Sequence, residues 1–507
     1  MKSEKVYTYL LSTGLMIITL MVLSVFCIVI VNGAPHFWPK KVSHFVLKDG
    51  REYLGEIHGK ELTLDKSQFR YRIKIGNRDV YGQDYVWIDE DQIVSRAFPH
   101  GVIMLERMEW GNAYGFIPEK SITEIKTKIK EATRLRKRIV RFEKKNIAGV
   151  YADIEAIQKK YAEEETAYRK NRLSELEDQY RNNEQILEEL YIKAQKETFR
   201  FSLIDKTEKE MRCFDIVHAT AVNDLSIVRK AGVFIYRIGE FIFSYPRESN
   251  TEGGVFPALF GTVFLVLIMS VFVFPFGVIA AVYLHEYARH GIILKLVRIT
   301  IFNLAGVPSI VYGVFGLGFF IYTVGGGVDA FFFSDNLPSP TFGTGGILWA
   351  SLTMAILTLP VVVVASMEGL KSVPQMYRDG AYGLAATKWE VIKDVVIPNA
   401  MPGMLTGLIL AISRAAGEVA PLMITGVVKL ALSLPADLTA PFVHLERKFM
   451  HLGFHIYDVG FQSPNVEASR PMVFNTTLLL LVVVFVLNLT AIIIRNKLRK
   501  KFLRSGV

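Results

Sequence analysis

Six apolar runs with polar flanks punctuate the chain, at roughly 10–31, 256–284, 299–324, 347–366, 405–428 and 473–494. A helix of about 20 apolar residues crosses the hydrocarbon of a bilayer, so each run is predicted to be a transmembrane helix. The first follows Lys2 and Lys5 and is longer than the apolar part of a signal peptide, about 7 to 15 residues. It is therefore expected to be an uncleaved anchor covering residues 1–31. The tail carries Arg495, Lys497, Arg499, Lys500, Lys501 and Arg504 without an acid, and the link between the second and third runs holds Arg289, Lys295 and Arg298. Basic short flanks stay inside, so both termini are expected in the cytoplasm. The stretch 325–345, with Asp329 and Asp335 but no Lys or Arg, is expected outside.

More than two hundred residues, 32–255, separate the first run from the second and fall outside the membrane in this topology. From about 40 to 118 apolar and polar residues alternate, as Tyr71, Ile73 and Ile75 do in FRYRIKIG, with punctuation at Asp49-Gly50, Gly55 and Gly76. A period of two reads as strands. From about 119 to 210 the pattern changes: 121–200 has no proline and almost no glycine, so a long helical hairpin is expected, hinged at Gly149. Leu173, Leu176, Tyr180, Ile186, Leu187 and Leu190 suggest a coiled-coil seam, although the heptads are irregular; a charged, solvated hairpin fits the same residues.

The inner stretch 369–403 is polar and patterned. Ser372-Val373-Pro374-Gln375 and Thr387-Lys388-Trp389-Glu390 both have the form of a capping box, in which a Ser or Thr and a Glu or Gln three residues later satisfy each other's backbone amides. After the second, Val391, Ile392, Val395 and Val396 line one helical face until Pro398, which is expected to stop the helix. Small residues at Gly380, Ala381, Gly383, Ala385 and Ala386 permit a tight turn and close backbone approach. The result is a compact cytoplasmic knob of two short helices, which serves either as a docking surface or as a well-ordered loop.

Composition agrees with this division: 507 residues are 51% hydrophobic yet 21% charged, which fits a membrane domain joined to an aqueous one. The net charge of +10 sits near membrane ends and in the mixed-charge helical region, so nucleic acid is excluded as a partner. Cys27 lies in an apolar run and Cys213 in the polar region, which argues against a disulfide between them. No phosphate-binding Gly-x-x-x-x-Gly-Lys-Ser/Thr loop occurs, the histidines, among them His285, His290 and His444, are scattered, and no nucleophile and base stand together. The chain is expected to hold no catalytic residue, metal or cofactor of its own.

The knob resembles the coupling loop of ABC importer permeases, whose pattern is Glu-Ala-Ala, three residues, Gly, nine residues, then Ile-x-Leu-Pro. Asp379, Gly380 and Ala381 take the first places, Ala385 the glycine, and Val395, Ile397 and Pro398 the closing group. The stretches AAVYLHEYAR at 280–289, NLAGVPSIVYGVFGLGFF at 303–320 and SRAAGEVAPLMITG at 413–426 are similar to the membrane subunits of phosphate importers. The resemblance covers the first run and 256–507, not the insertion. It implies an all-α, six-helix permease fold carrying a large α+β extracytoplasmic insertion. It also implies a multi-pass protein of the bacterial inner membrane, with a homologous permease, an ATPase dimer holding ATP and Mg, and an extracytoplasmic phosphate-binding protein as partners. The implied mechanism is alternating access.

Arg414 falls about ten residues into the fifth run, near mid-bilayer by a rise of 1.5 Å per residue, where a charge costs about 2.5 to 3.5 kcal/mol. Glu418, four residues on, shares its helical face and is expected to pair with it. The pair either fixes packing or forms part of a substrate pathway together with Pro308 and Ser309, where Pro308 breaks the regular helix. Pro421 and Pro308 also read as simple kinks, and Gly313, Gly316 and Gly318 as sites of close helix packing. A single arginine does not distinguish tetrahedral anions, so molybdate or sulfate is an alternative cargo. In a further alternative, the chain is an envelope scaffold or sensor acting through its outer hairpin.

Overall fold

The computed structural model describes residues 2–63, 68–117, 122–160, 167–289, 291–438, 440–463 and 466–505; Ser121, the join at 161–166 and His290 lie outside the described residues. Two compact units emerge. One gathers Met1–His36, Glu240–Pro246 and Gly253–Val507, the other Phe37–Gly239 and Arg247–Glu252. Residues 240–246, read from the sequence as part of the insertion, therefore pack with the apolar helices.

In the first unit six helices are long and apolar enough to cross a membrane: Tyr7–His36, Phe256–Tyr287, Ser309–Phe332, Ile347–Lys371, Lys388–Gly417 and Ser469–Lys500. Lipid offers backbone amides no partner, which is why apolar runs of this length close their hydrogen bonds within a helix. The fourth span is the centre of the bundle, with 67% of its apolar window buried against 6% for the first and last. Its Met354, Leu357 and Val362 meet Leu265 and Met269 of the second span and Ala411 and Ala415 of the fifth. Small residues bring these backbones together. A Cβ placed on Gly403 would stand 2.7 Å from the Cα of Gly369, and one on Gly277 would stand 2.6 Å from Val362.

Two spans differ from the boundaries read in the sequence. The third was expected at 299–324 with a break at Pro308; the break is there, but it separates two helices, Ile292–Leu304, which ends before Pro308, and a new helix that starts at Ser309 and carries the span. Proline lacks the amide that would continue the ladder, and it biases the residue before it away from helical geometry. The fifth was expected at 405–428. Instead it begins at Lys388 inside the knob, runs through Pro398 and ends at Gly417, followed by the short helix Ala420–Thr425. Pro398 does not stop the helix because the turn Val391–Val396 widens to π geometry, with the Ile397 amide donating to the carbonyl of Ile392. The wider turn makes room for the ring beside a carbonyl that an α-helix would press against it.

Gly313 and Gly316 do serve close packing. A Cβ at Gly313 would lie 2.8 Å from Pro421 Cα, and one at Gly316 would lie 2.2 Å from Thr353 Oγ1 and 3.0 Å from Thr425 Cγ2. Gly318 has nothing within 4 Å, so the packing role expected for it is not found.

In the second unit, strands β1 (Ser43–Leu47), β2 (Glu52–Leu62), β3 (Phe69–Lys74), β4 (Tyr85–Asp89) and β5 (Ile93–Ala97) form an antiparallel sheet in the order β4-β3-β2-β1-β5. The alternation seen in the sequence sets its faces: Ile73, Ile75 and Ile88 are buried with Phe45 and Leu47, while Arg70 and Arg72 lie across the strand near the ring of Trp87. Gly50 closes the β1–β2 turn at φ 82°. Gly55, by contrast, is no turn but a position inside β2, where a Cβ would meet the Lys74 carbonyl at 2.6 Å.

A second sheet pairs β6 (Ile103–Arg107) with β7 (Asn112–Gly115), and a ladder joins β8 (Thr198–Ser202) to β9 (Glu208–Arg212); β10 (Ile216–Thr220) completes the former. The segment read as helical to about 210 thus turns to strand at Thr198, where Phe199 and Phe201 are buried and Arg200 between them is exposed. Helices Ile122–Phe142, Ala148–Lys160 and Ala167–Gln195 precede it, with a π turn at Glu143–Ile147. Gly149, half-buried, lies within a helix and is no hinge, since a glycine costs a helix only about 1 kcal/mol. The expected seam is only partly buried: Leu176 is enclosed, but Ile186 is exposed. Ile125, Ile129 and Ala132 pack on the strands instead. Asp79 pairs with Arg107 at 2.9 Å and accepts from Lys209; burial alone would raise its pKa, but the two cations outweigh it and hold the carboxyl below its ordinary range. Cys27 and Cys213 are both free thiols.

The glycine contacts generate a paired expectation. Gly316→Ala destabilises the bundle by about 1 to 3 kcal/mol through overpacking, whereas Gly318→Ala does not, and thermal unfolding of the detergent-purified chain checks both.

Candidate functional site

The knob is built as two short helices, but only one of the two expected capping boxes forms. At the second start, Thr387 Oγ1 accepts from the Glu390 amide at 3.4 Å, and a Glu390 carboxylate oxygen accepts from the Thr387 amide at 2.7 Å. At the first, Pro374 occupies the cap of helix Gln375–Gly383 and no side chain caps it. Ser372 donates instead to the Gly369 carbonyl and Gln375 to Asp379 at 2.9 Å. Ser372 sits too far back, one residue before the extended Val373-Pro374 pair, to reach the helix amides.

Val391, Ile392 and Val396 turn inward and pack with Ala281, Val282 and Leu284 at the end of the second span and with Leu370 and Val373 at the end of the fourth. The knob's other face is open. Asp379, Gly380 and Ala385 are exposed, Ala381, Ile397 and Pro398 half-buried. Gly380 and Gly383 approach no other backbone, contrary to expectation. Ala385 has φ 62°, the left-handed conformation that glycine adopts without strain. Met376, Leu384 and Trp389 are exposed by 71%, 86% and 57%, an apolar surface on an otherwise polar segment.

At the far end of the fifth span, Arg414 occupies the last helical turn instead of the middle of the span. A cation there meets the carbonyl-rich end of the helix dipole, which lowers its cost. Glu418 is already outside the helix, at ψ 138°, so the pair does not share a helical face; its carboxylate still comes within 3.6 Å of Arg414 Nε. Both side chains are about one-quarter to one-third exposed, and the Nη donors of Arg414 have no acceptor among the described residues. Pro308 caps the helix that starts at Ser309. Neither it nor Ser309 bonds to Arg414 or Glu418 among the described residues, although Tyr312, three residues on, belongs to the same apolar cluster as Ala411 and Ala415.

A family model described as "Binding-protein-dependent transport system inner membrane component" matches residues 273–504. That stretch of the chain is similar to this family. It takes in the C-terminal end of the second span, the Pro308 break, the knob, the helix that continues from it and the Arg414 pair. Phosphate transport system permease protein PstA 1 of Mycobacterium tuberculosis is 37% identical over 172 residues, covering 34% of this chain and 51% of that protein. PstA of Yersinia pestis is 32% identical over 200 residues, 39% of this chain and 61% of the relative. The probable ABC transporter permease YqgI of Bacillus subtilis is 29% identical over 263 residues, 50% of this chain and 83% of that one. The chain spans about half the length of the first of these relatives.

Sequence reasoning misses two residues: Glu286, in the second span's LHEY, and Arg378, one residue before the knob motif. They lie 92 positions apart yet bond at 2.7 Å. A sequence signal for the first is an acid standing at the end of an apolar run.

The left-handed alanine and the single working cap lead to opposite expectations. Ala385→Gly stabilises the knob and Thr387→Ala destabilises it, each by about 1 kcal/mol, read as slower and faster hydrogen exchange of the amides across 375–396.

Proposed function

We propose that this chain is the membrane subunit of an ATP-driven importer of inorganic phosphate in the bacterial inner membrane, with both termini in the cytoplasm. It pairs with a homologous permease and with an ATPase dimer that binds ATP and Mg and docks on the knob; an extracytoplasmic binding protein delivers phosphate. The proposal is supported by the match of 273–504 to the model of a transport-system inner membrane component and by the phosphate permease names of relatives from two organisms. The observation that carries it is Arg414: a guanidinium within a spanning helix, partly open, held by one carboxylate through Nε and with its forked donors left to bind something else.

The mechanism follows from that geometry. Phosphate accepts forked hydrogen bonds from the Nη groups of Arg414, to which an oxyanion with several acceptor oxygens is well matched. Glu418 orients the guanidinium through Nε and offsets its charge, which keeps binding weak enough for release. Pro308 and Ser309 end and restart a helix within the same unit and contribute irregular backbone to the pathway. On the inner side, ATP closes the ATPase dimer, and the dimer moves the knob through its exposed Met376, Leu384 and Trp389. Because the knob's second helix is the beginning of the fifth span, that motion reaches Arg414 along a continuous helix and turns its cavity from one side to the other.

Replacing Arg414 with Ala abolishes phosphate uptake at normal membrane levels of the protein; uptake that persists removes Arg414 from the pathway. Competition by molybdate or sulfate in the same assay identifies a different oxyanion as cargo, and unchanged phosphate uptake on loss of the whole chain points to a scaffold.

A further inference from the structure

Glu286 lies in the π turn Tyr283–Tyr287 that closes the second span, and both helices of the knob converge on it. Arg378, on the first knob helix, donates through Nη1 to Glu286 Oε1 at 2.7 Å and through Nη2 to the Leu370 carbonyl at 3.1 Å. Lys388, at the start of the second, donates to the backbone carbonyl of Glu286 at 2.5 Å and stands 4.7 Å above the ring of Tyr287. His285 Nδ1 lies 2.9 Å from the carboxylate oxygen that Arg378 also holds. The ion pair is largely enclosed, its side chains exposed by only 12% and 9%. Apolar packing of Val391, Ile392 and Val396 against Ala281, Val282 and Leu284 surrounds it.

The knob has two covalent joins to the bundle, the link 372–374 from the end of the fourth span and the helix that becomes the fifth span. It is tied to the second span by this noncovalent linkage and the apolar packing beside it. A knob held only by its two covalent joins can tilt without moving the second span. An enclosed, charge-assisted pair with a fixed fork geometry does not permit that.

We propose that Glu286 and Arg378 form a mechanical clamp that makes the inner end of the second span move with the knob, so that ATP-driven motion opens and closes the bundle instead of rocking one helix. The proposal rests on the transport reading above. Glu286 and Arg378 are positioning residues in it; neither touches the cargo.

The test uses membranes containing the full chain together with its homologous permease, its ATPase and the extracytoplasmic binding protein, and compares wild type, E286Q, R378E and the exchange E286R/R378E at matched protein levels. The clamp predicts that the single variants keep ATP hydrolysis within about twofold of wild type but lose phosphate uptake about tenfold or more, since removing one partner of an enclosed pair strands the other charge. The ratio of uptake to hydrolysis therefore falls. The exchange variant, which restores opposite charges, regains most of that ratio. A ratio left unchanged in the single variants, or left low in the exchange, overturns the clamp. Hydrogen exchange in the full chain supplies an arm independent of cargo: E286Q accelerates the amides of 283–287 and 375–383 together. Acceleration on one side alone overturns the linkage. If wild-type membranes hydrolyse ATP yet import no phosphate, the transport reading has failed, and the exchange data still decide whether the two segments are tied.

Discussion

One continuous helix, Lys388–Gly417, joins the knob to the Arg414 pair. It starts as the second helix of a polar knob, capped by Thr387 and Glu390, and ends as a membrane span with Arg414 in its last turn. Thirty residues at 1.5 Å each make a rod of about 45 Å, long enough to carry a displacement across the bilayer. Its passage of Pro398 without a break depends on a local adjustment, the π turn, and a second proline, Pro402, lies farther along the same helix. Without that turn the knob and the charged site would belong to separate bodies.

The rod is guided by close backbone packing. Gly403 and Gly407 bring it against Gly369 and Ala365 of the fourth span, so its sides are fixed by contacts that tolerate almost no added volume. On its far side, Ser413 donates to Asn488 at 2.8 Å and Arg495 to Thr406 at 3.2 Å, tying it to the last span. Sliding or tilting of the bundle as packed bodies is consistent with these contacts, whereas gradual bending of the rod is not. The clamp at Glu286 and Arg378 extends the same rigidity to the second span, and its enclosed charges hold only while both are present.

Much of this was legible in the sequence because it depends on local rules. Apolar length gave the six spans, the Thr387-to-Glu390 spacing gave the working cap, and the alternation in FRYRIKIG gave the buried face of β3. The misreadings share a cause, a local rule overridden by context. Pro398 was read as a stop because proline normally is one, and nothing in the sequence announces a π turn. Gly149 was read as a hinge although a helix tolerates a single glycine. Arg414 was placed at mid-bilayer because the start of its helix was set at the apolar run, seventeen residues after its true start at Lys388. What could not be read at all is contact between distant segments. The pairing of Glu286 with Arg378 and the approach of Gly316 to Thr353 exist only once the spans have packed.

The most direct test of a rigid rod is a distance along it. Spin labels at Trp389 and Leu410, both exposed, are separated by about 32 Å of helix, and pulsed electron resonance on the assembled transporter measures that separation with and without bound ATP. The account predicts the same distance in both states. A nucleotide-dependent change of about 5 Å, one helical turn, would show that the helix breaks or bends at Pro398 and would contradict it.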